Sequence, residues 1–370
     1  MKPFIPEKLP IASINWDSLI TLIGKANREL ARYDGILSVM PNPGVLLSPL
    51  TTQEAVLSSK IEGTQATFNE VLRFEAGETP VEESRRLDIE EIFNYRYAMR
   101  LAEEELKTRP FSLNLLKNLH AILLDGVRGR DKSKGEFRKT QNWIGASGTP
   151  IEKAQYIPPE PALVMEYMDN WEKYYHSDRP DPLIQLAIIH AQFEVIHPFL
   201  DGNGRLGRMI VPLFLLEKTI LSHPMFYISA YFEENRDEYV SHLRKLGTSD
   251  DAWEEWIKFF LEALIKQSIK DSTRSKKIFD LYEDLKTRVI DLTHSQFAVP
   301  MLDQMFKQPI FPSNIFNDLD GMPSKPSIIA LLNKMKNGSV LSTIRKGAGR
   351  RPQILALGEL LNICEDKDLF

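Results

Sequence analysis

The sequence predicts a mainly helical protein: a helical bundle with one short β-hairpin, plus a small module at its C-terminal end. Apolar residues recur every third or fourth position along most of the chain, as in residues 16–30, and strand-like alternation is scarce. The length of 370 residues and the hydrophobic content of 43% suffice for two or three packed cores.

Local signals place the ends of several helices. Thr51 and Glu54 have the spacing of a capping box, and Gly63 is the residue expected just past the end of that helix. Asp181-Pro182 predicts a helix start, and Pro198 ends the same helix because the residue before a proline is disfavoured in the α region. After residues 16–30, the predicted helices cover residues 52–61, 67–74, 83–106, 113–124, 161–175, 182–196, 205–216, 235–246 and 251–270.

Two segments depart from the helical pattern. Residues 135–159 mix glycine, proline and β-forming side chains, which predicts a short hairpin or flap. A polar stretch from about Asp271 predicts a link. After it, a helix from Ser324 and two short strands at 340–341 and 354–357 resemble a winged-helix module. We therefore expect an N-terminal helical region at 1–110, a central core at 111–270 and the C-terminal module at 271–370.

The charge balance limits the classes of partner. The chain has 46 Lys and Arg against 51 Asp and Glu, a net charge of −5, which argues against a protein that coats nucleic acid over its whole surface. The C-terminal module has a local basic pattern that suits DNA phosphates, although winged helices also dock proteins. Between residues 325 and 357 there are seven basic residues and no acid: Lys325, Lys334, Lys336, Arg345, Lys346, Arg350 and Arg351.

Cysteine usage and hydropathy indicate a cytoplasmic protein. Cys364 is the only cysteine, which excludes a disulfide framework and a cysteine-based zinc site. The first ten residues lack the apolar run of a signal peptide, and no apolar stretch is long enough to span a bilayer. We expect no membrane partner.

The most specific chemistry lies in residues 197–208, HPFLDGNGRLGR. His197 can act as a general base near neutral pH, and Asp201 is a hard oxygen ligand of the kind Mg²⁺ takes beside phosphate. Gly202 and Gly204 allow backbone amides to approach an anion at the start of the next helix. Two arginines three positions apart could bind phosphate oxygens from one helix face.

This motif resembles the signature of the Fic family, HxFx(D/E)GNGRxxR, at every defined position. The resemblance implies a Fic-type helical bundle with a flap, and an enzyme that transfers AMP from ATP to Ser, Thr or Tyr hydroxyls of target proteins and of itself (AMPylation). It also implies Mg²⁺ and, because members often self-associate, a homodimer. By position, His197 would be the base, Phe199 the core anchor and Asp201 the metal ligand. The nucleotide would be bound by Gly202, Asn203, Gly204, Arg205, Leu206, Gly207 and Arg208, with Arg205 on the β-phosphate and Arg208 on the γ-phosphate.

Three further regions resemble parts of the family: residues 58–63, the predicted flap and the region around residues 235–239. Residues 58–63, SSKIEG, fit its inhibitory pattern, so the resemblance implies that Glu62, with Ser58 one turn before it, pairs with Arg208 and misplaces the phosphates of ATP. In the predicted flap, Ile144 and Gly145 would pair with an extended piece of the target. Asn235 could bind adenine and Tyr239 could cover its ring, although ordinary helix packing explains these two residues nearly as well.

Other interpretations of the motif remain. GNGRLG fits the dinucleotide pattern G-x-G-x-x-G, but that site needs a preceding strand and a helix precedes it here. Glu194 and His197, with His190 further up the helix, have the spacing of a di-iron site, which needs a second such helix. A purely structural turn would not concentrate these residue types. Alternative functions are a nucleotide-sensing regulator that binds DNA, and a Fic-type enzyme that uses another donor or removes AMP.

Overall fold

The computed structural model describes residues 2–12, 14–80, 82–126, 133–145, 150–246 and 251–368. The chain forms two compact units, each assembled from separate stretches. The first consists of residues 1–34, 57–64 and 90–269, and the second of residues 35–56, 65–89 and 270–370. The division into three consecutive domains predicted above stays a prediction.

The described residues are mainly helical, as predicted, with one small antiparallel sheet. The helices are α1 (Trp16–Val39), α2 (Pro43–Leu46), α3 (Ser48–Ile61), α4 (Phe68–Glu75), α5 (Glu83–Leu106), α6 (Leu113–Leu123), α7 (Pro161–His176), α8 (Pro182–Ile196), α9 (Asn203–Glu217), α10 (Ser229–Glu234), α11 (Arg236–Lys245), α12 (Ala252–Thr293), α13 (Ala298–Lys307), α14 (Lys325–Asn337) and α15 (Gly358–Glu365); the strands are β1 (Ile310–Pro312), β2 (Ser342–Arg345) and β3 (Ile354–Ala356).

The core of the first unit is built around α8, which packs between α7 and α9. Its sequence is apolar on all sides, and nearly every residue is buried, as expected for a helix enclosed by others. The predicted start is confirmed, because Oδ1 of Asp181 accepts hydrogen bonds from the backbone N–H groups of Leu183 and Ile184, both at 2.9 Å. The buried helix gives the residues that follow it a rigid starting point.

The second unit contains the sheet, with strand order β1-β3-β2 and both pairs antiparallel. β3 is central and fully buried, which fits its apolar sequence Ile-Leu-Ala. Helix α4 packs against β1 and α13 against α2. The predicted helix after Ser324 is α14 and the strand predicted at 354–357 is β3, whereas the strand predicted at 340–341 lies at Ser342–Arg345 instead, as β2. The winged-helix interpretation stays a prediction.

Two sequence predictions were wrong. The helix predicted at 251–270 does not end at Asp271, because α12 runs without a break from Ala252 to Thr293, although the two units divide between residues 269 and 270. The polar stretch at Asp271 contains neither glycine nor proline, and polar composition alone does not end a helix. The capping box at Thr51 is also wrong: α3 begins three residues earlier, at Ser48, so Thr51 lies inside the helix. Among the described residues, no helix is long and apolar enough to cross a membrane.

Candidate functional site

His197 lies at the point where α8 ends. It has a left-handed backbone (φ 50°, ψ 60°), and its N–H still donates to the carbonyl of Phe193 at 3.0 Å. Its ring Nδ1 lies 3.3 Å from the carbonyl oxygen of Glu194, which can only accept, so Nδ1 carries the proton. This tautomer leaves the lone pair on Nε2 available to a substrate.

The turn after His197 is fixed by a reciprocal pair of hydrogen bonds. The N–H of Phe199 donates to Oδ1 of Asn203, and Nδ2 of Asn203 donates to the carbonyl of Phe199, both at 2.9 Å. Phe199 is fully buried and stacks on His120 with ring centroids 3.9 Å apart. Gly202, at φ 78°, precedes the first residue of α9, which begins two residues before the prediction. Phe199 therefore anchors the turn, as the resemblance implied.

Two residues that the sequence did not indicate also hold this turn. His120 accepts from the N–H of Gly135 at Nδ1 and donates from Nε2 to the carbonyl of Asp201 (2.8 and 3.1 Å). Arg138, 2% exposed, donates from Nε to the carbonyl of His197 at 2.9 Å. Both lie more than fifty residues from the motif, so only the tertiary structure reveals them.

Arg208 is bound on several sides by the end of α3. Its Nε donates to Oγ of Ser58 at 2.9 Å, and its Nη2 donates to the carbonyl of Ser58 and to Oε1 of Glu62, both at 2.7 Å. The arginine side chain is 1% exposed, whereas that of Glu62 is 39% exposed. Gly63 follows at φ 101°, the predicted residue past the helix end. The carboxylate of Glu62 thus accepts a hydrogen bond from the guanidinium of Arg208 and forms an ion pair with it.

Glu62 also lies against the first turn of α9. A Cβ atom added at Gly204 would overlap Oε1 of Glu62 unless that side chain moved, so the glycine lets this carboxylate lie close to the backbone. At Gly207 an added Cβ would overlap Oε1 of Glu194. Two of the three glycines of the motif, Gly204 and Gly207, therefore leave room for the carboxyl groups of Glu62 and Glu194.

A family model described as "Fic/DOC family N-terminal" matches residues 20–104, and one described as "Fic/DOC family" matches residues 110–215. The chain belongs to the Fic family. The turn from His197 to Arg208, the Fic turn below, lies inside the second match, and Glu62 lies inside the first.

Relatives and solved structures agree with this assignment. A probable protein adenylyltransferase of Aquifex aeolicus is 27% identical over 207 residues, 54% of this chain and 56% of that protein. The protein adenylyltransferase Fic of Drosophila ananassae is 30% identical over 173 residues, 46% of this chain and 28% of that protein. The chain thus spans about half or less of the length of these relatives.

The crystal structure of a Fic family protein from Desulfovibrio desulfuricans covers 96% of this chain and 98% of its own, with a TM-score of 0.59 and 19% identity. That of a Fic domain containing signaling protein from Bacteroides thetaiotaomicron covers 69% and 97%, with a TM-score of 0.53 and 20% identity. At these identities the likeness concerns the fold.

Burial shifts the pKa values of His197 and Glu194, whereas Arg208 decides that of Glu62. Burial lowers the pKa of His197 to about 4, so the imidazole is neutral at pH 7. It raises the pKa of Glu194 to about 8, which makes this carboxyl a neutral acid at pH 7. Burial would also raise the pKa of Glu62, but the charge and hydrogen bond of Arg208 outweigh it and hold that pKa below its ordinary value.

Arg205 has carboxylate neighbours of its own. Its Nη1 donates to Oε2 of Glu91 at 3.0 Å, and its Nη2 lies 3.4 Å from Oδ1 of Asp201. Burial raises the pKa of Glu91 more than Arg205 lowers it. Asp201 also accepts from the N–H of Gly202 at 2.6 Å, and its side chain is 42% exposed. One partly exposed carboxylate fits an Mg²⁺ ion that takes its other ligands from phosphate and water.

The described residues do not support the di-iron interpretation. In the part of the chain that the structure describes, no cluster of three or more His, Cys, Asp or Glu side chains could hold a metal ion. His190 is fully buried; its Nδ1 donates to the carbonyl of Gly207 and its Nε2 accepts from the hydroxyl of Tyr239, both at 3.0 Å. This histidine therefore links α9 to Tyr239 by hydrogen bonds and is not free to bind a metal ion.

The remaining predicted residues lie at different depths. Leu206 is fully buried in α9. Nδ2 of Asn235 donates to the carbonyl of Tyr231, and Tyr239, 3% exposed, stacks on Phe232, so helix packing accounts for both. Their contact with adenine stays a prediction.

The predicted flap has its two sides paired at one point. Ile144 forms an isolated antiparallel bridge with Tyr156, and Gly145 is exposed at the bend that follows. Residues 146–149 of the predicted flap lie outside the described residues. The pairing of Ile144 and Gly145 with a target stays a prediction.

Proposed function

We propose that this protein is an adenylyltransferase that transfers AMP from ATP to hydroxyl side chains of target proteins and of itself, and that Glu62 restrains it. One observation carries the proposal: a carboxylate of the chain lies against Gly204 and pairs with Arg208. Carboxylate and phosphate are both anions, and the start of a helix with a nearby arginine suits either. The position that Glu62 occupies is therefore fit for a nucleotide phosphate.

The chemistry follows from the groups around this position. His197, neutral at pH 7, takes the proton of the incoming hydroxyl as it attacks the α-phosphate. Diphosphate then leaves, and its charge is stabilised by Arg205, Arg208 and the backbone amides of the Fic turn. Asp201 would hold Mg²⁺, which neutralises phosphate charge when it is bound.

Inhibition acts through Arg208. While Glu62 and Ser58 hold this guanidinium, the γ-phosphate loses its partner, and ATP binds with its α-phosphate out of line for attack. The names of the relatives, protein adenylyltransferases of a bacterium and a fly, support the class of reaction.

The decisive experiment is incubation of the Glu62→Gly protein with labelled ATP and a cell lysate, followed by mass spectrometry of whatever acquires the label. We expect AMP adducts on Ser, Thr or Tyr of a target and of the protein itself. A label that arrives as another group would indicate a different donor chemistry, and no adduct of any kind would reject the proposal.

A second function, DNA binding by the C-terminal module, is favoured by the exposed basic tip. Lys346, Arg350 and Arg351 are all exposed, whereas Arg345 is engaged by Glu78 at 3.6 Å. The test replaces the three exposed residues by alanine and measures binding to duplex DNA at low salt. Equal retention of the variant and the unchanged protein would reject this function.

A further inference from the structure

Glu91, the partner of Arg205, differs from an ordinary surface carboxylate. The side chains of Arg205 and Glu91 are 5% and 6% exposed, so the ion pair is almost entirely withdrawn from water. Glu91 belongs to α5, a helix of 24 residues that continues for many residues beyond it. Breaking a buried pair costs free energy because it leaves one charge unpaired. The ion pair with Arg205 therefore restrains this carboxylate, in addition to its position within a helix.

A second contact fixes the same oxygen. Oε2 of Glu91, which accepts from Arg205, also accepts from Oγ1 of Thr64 at 3.4 Å. Thr64 is 4% exposed and follows Gly63 directly. Glu91 therefore has two donors on one oxygen, and the second donor comes from the turn that carries Glu62.

The hydrogen bonds of the two arginines differ in a way that indicates a role. The Nε and Nη2 groups of Arg208 are taken by Ser58 and Glu62. The Nε of Arg205 is buried and has no hydrogen-bond partner among the described residues. A buried donor without an acceptor is costly, and a bound phosphate oxygen would satisfy it.

We propose that Glu91 is a positioning residue that holds Arg205 in the Fic turn, so that its remaining N–H groups are available to the β-phosphate of the nucleotide. This inference rests on the proposed function. Glu62 leaves when the enzyme is active, whereas Glu91 stays and serves the active form. The two carboxylates act on neighbouring arginines with opposite consequences.

The test measures ADP and AMP affinity by calorimetry in Glu62→Gly protein, with and without Glu91→Ala or Glu91→Gln. ADP has the β-phosphate and AMP does not, so AMP affinity reports the rest of the pocket. We expect Glu91→Ala to weaken ADP about tenfold and AMP less than about twofold, the loss of one oriented charge-assisted contact. Glu91→Gln keeps an oxygen for Arg205 and should retain most of the ADP affinity.

Glu104→Ala, which removes an exposed partner of Lys107 from the same helix, is the matched control and should change neither affinity. If Glu91→Ala does not fold, Glu91→Asp shortens the reach and should weaken ADP selectively. Tighter ADP binding in the Ala or Asp variant would make Glu91 a competitor like Glu62, and equal weakening of both nucleotides would make its role merely structural. Either result, or unchanged ADP binding, overturns the proposal.

Failure of the proposed function gives a different result. ADP binding by Glu62→Gly without any AMP transfer rejects the adenylyltransferase and leaves the Glu91 comparison valid. Absence of ADP binding by Glu62→Gly rejects both.

Discussion

Two glutamate–arginine pairs on α9, one helical turn apart, have the same chemistry and different surroundings. Glu62 lies just past the end of α3 with 39% of its side chain exposed, whereas Glu91 lies within α5 at 6%. Their partners, Arg208 and Arg205, are both almost fully buried. The difference between the pairs is therefore on the carboxylate side.

This difference decides which pair a nucleotide can open. A carboxylate that is 39% exposed at a helix end can turn back into water, and an incoming phosphate can take its place at the buried guanidinium of Arg208, so that this charge is not left unpaired. Removing one partner from a buried pair costs about 3–5 kcal/mol, because the other charge is left unpaired. The Glu62 pair is suited to be displaced, and the Glu91 pair to persist.

The largest expected effect tests whether His197 is the general base of the reaction that the two pairs are proposed to control. In Glu62→Gly protein, His197→Ala should lower AMP transfer about a thousandfold, since a general base contributes 10²–10⁴. Rates of label incorporation measure this. His223, a half-buried histidine after the end of α9, lies outside the Fic turn, so His223→Ala is the matched control and should leave the rate unchanged. If the double variant is as fast as Glu62→Gly, His197 is not the general base, and the two pairs do not control a reaction at this residue.

The next effect separates the two pairs directly. Glu62→Gly alone should raise automodification about a hundredfold over the unchanged protein, because the phosphates regain Arg208 and in-line geometry. Lys60→Ala, which breaks the exposed bridge from Lys60 to Glu233 two residues before Glu62, should have no effect. Equal rates for Glu62→Gly and the unchanged protein would contradict inhibition by this pair.

Some parts of this site could be predicted from the sequence, and others could not. Local signals fixed the helix before His197, because an N-cap, a proline and an apolar run all lie within its own segment. The helix end predicted at Asp271 was wrong because polar residues without glycine or proline do not end a helix, although the boundary between the two units does fall there. Sequence distance hid His120, Arg138 and Glu91, whose contacts depend on tertiary packing.

Ser58 gives a smaller effect and shows how the inhibitory contact is divided. Ser58→Ala removes the acceptor of Nε of Arg208 but leaves the backbone carbonyl and Glu62 in place. We expect automodification to rise about fivefold, the equivalent of one hydrogen bond of about 1 kcal/mol. A rise as large as that of Glu62→Gly would mean that Ser58, rather than the carboxylate of Glu62, provides most of the inhibition.

The smallest expected effect is that of pH on the active form. Burial lowers the pKa of His197 to about 4, so the base is already deprotonated across the neutral range, and protonation inactivates it only as the pH falls toward that value. An imidazole with an ordinary pKa near 6.5 would lose about tenfold by pH 5.5. In Glu62→Gly protein we expect kcat/KM to change less than about twofold between about pH 5.5 and 7.5. The charge of Glu62 raises the pKa of His197, so its removal moves the acid limb to still lower pH. A half-maximal rate near pH 6.5 would mean that His197 is solvated in the active form, and that displacement of Glu62 opens the whole turn rather than Arg208 alone.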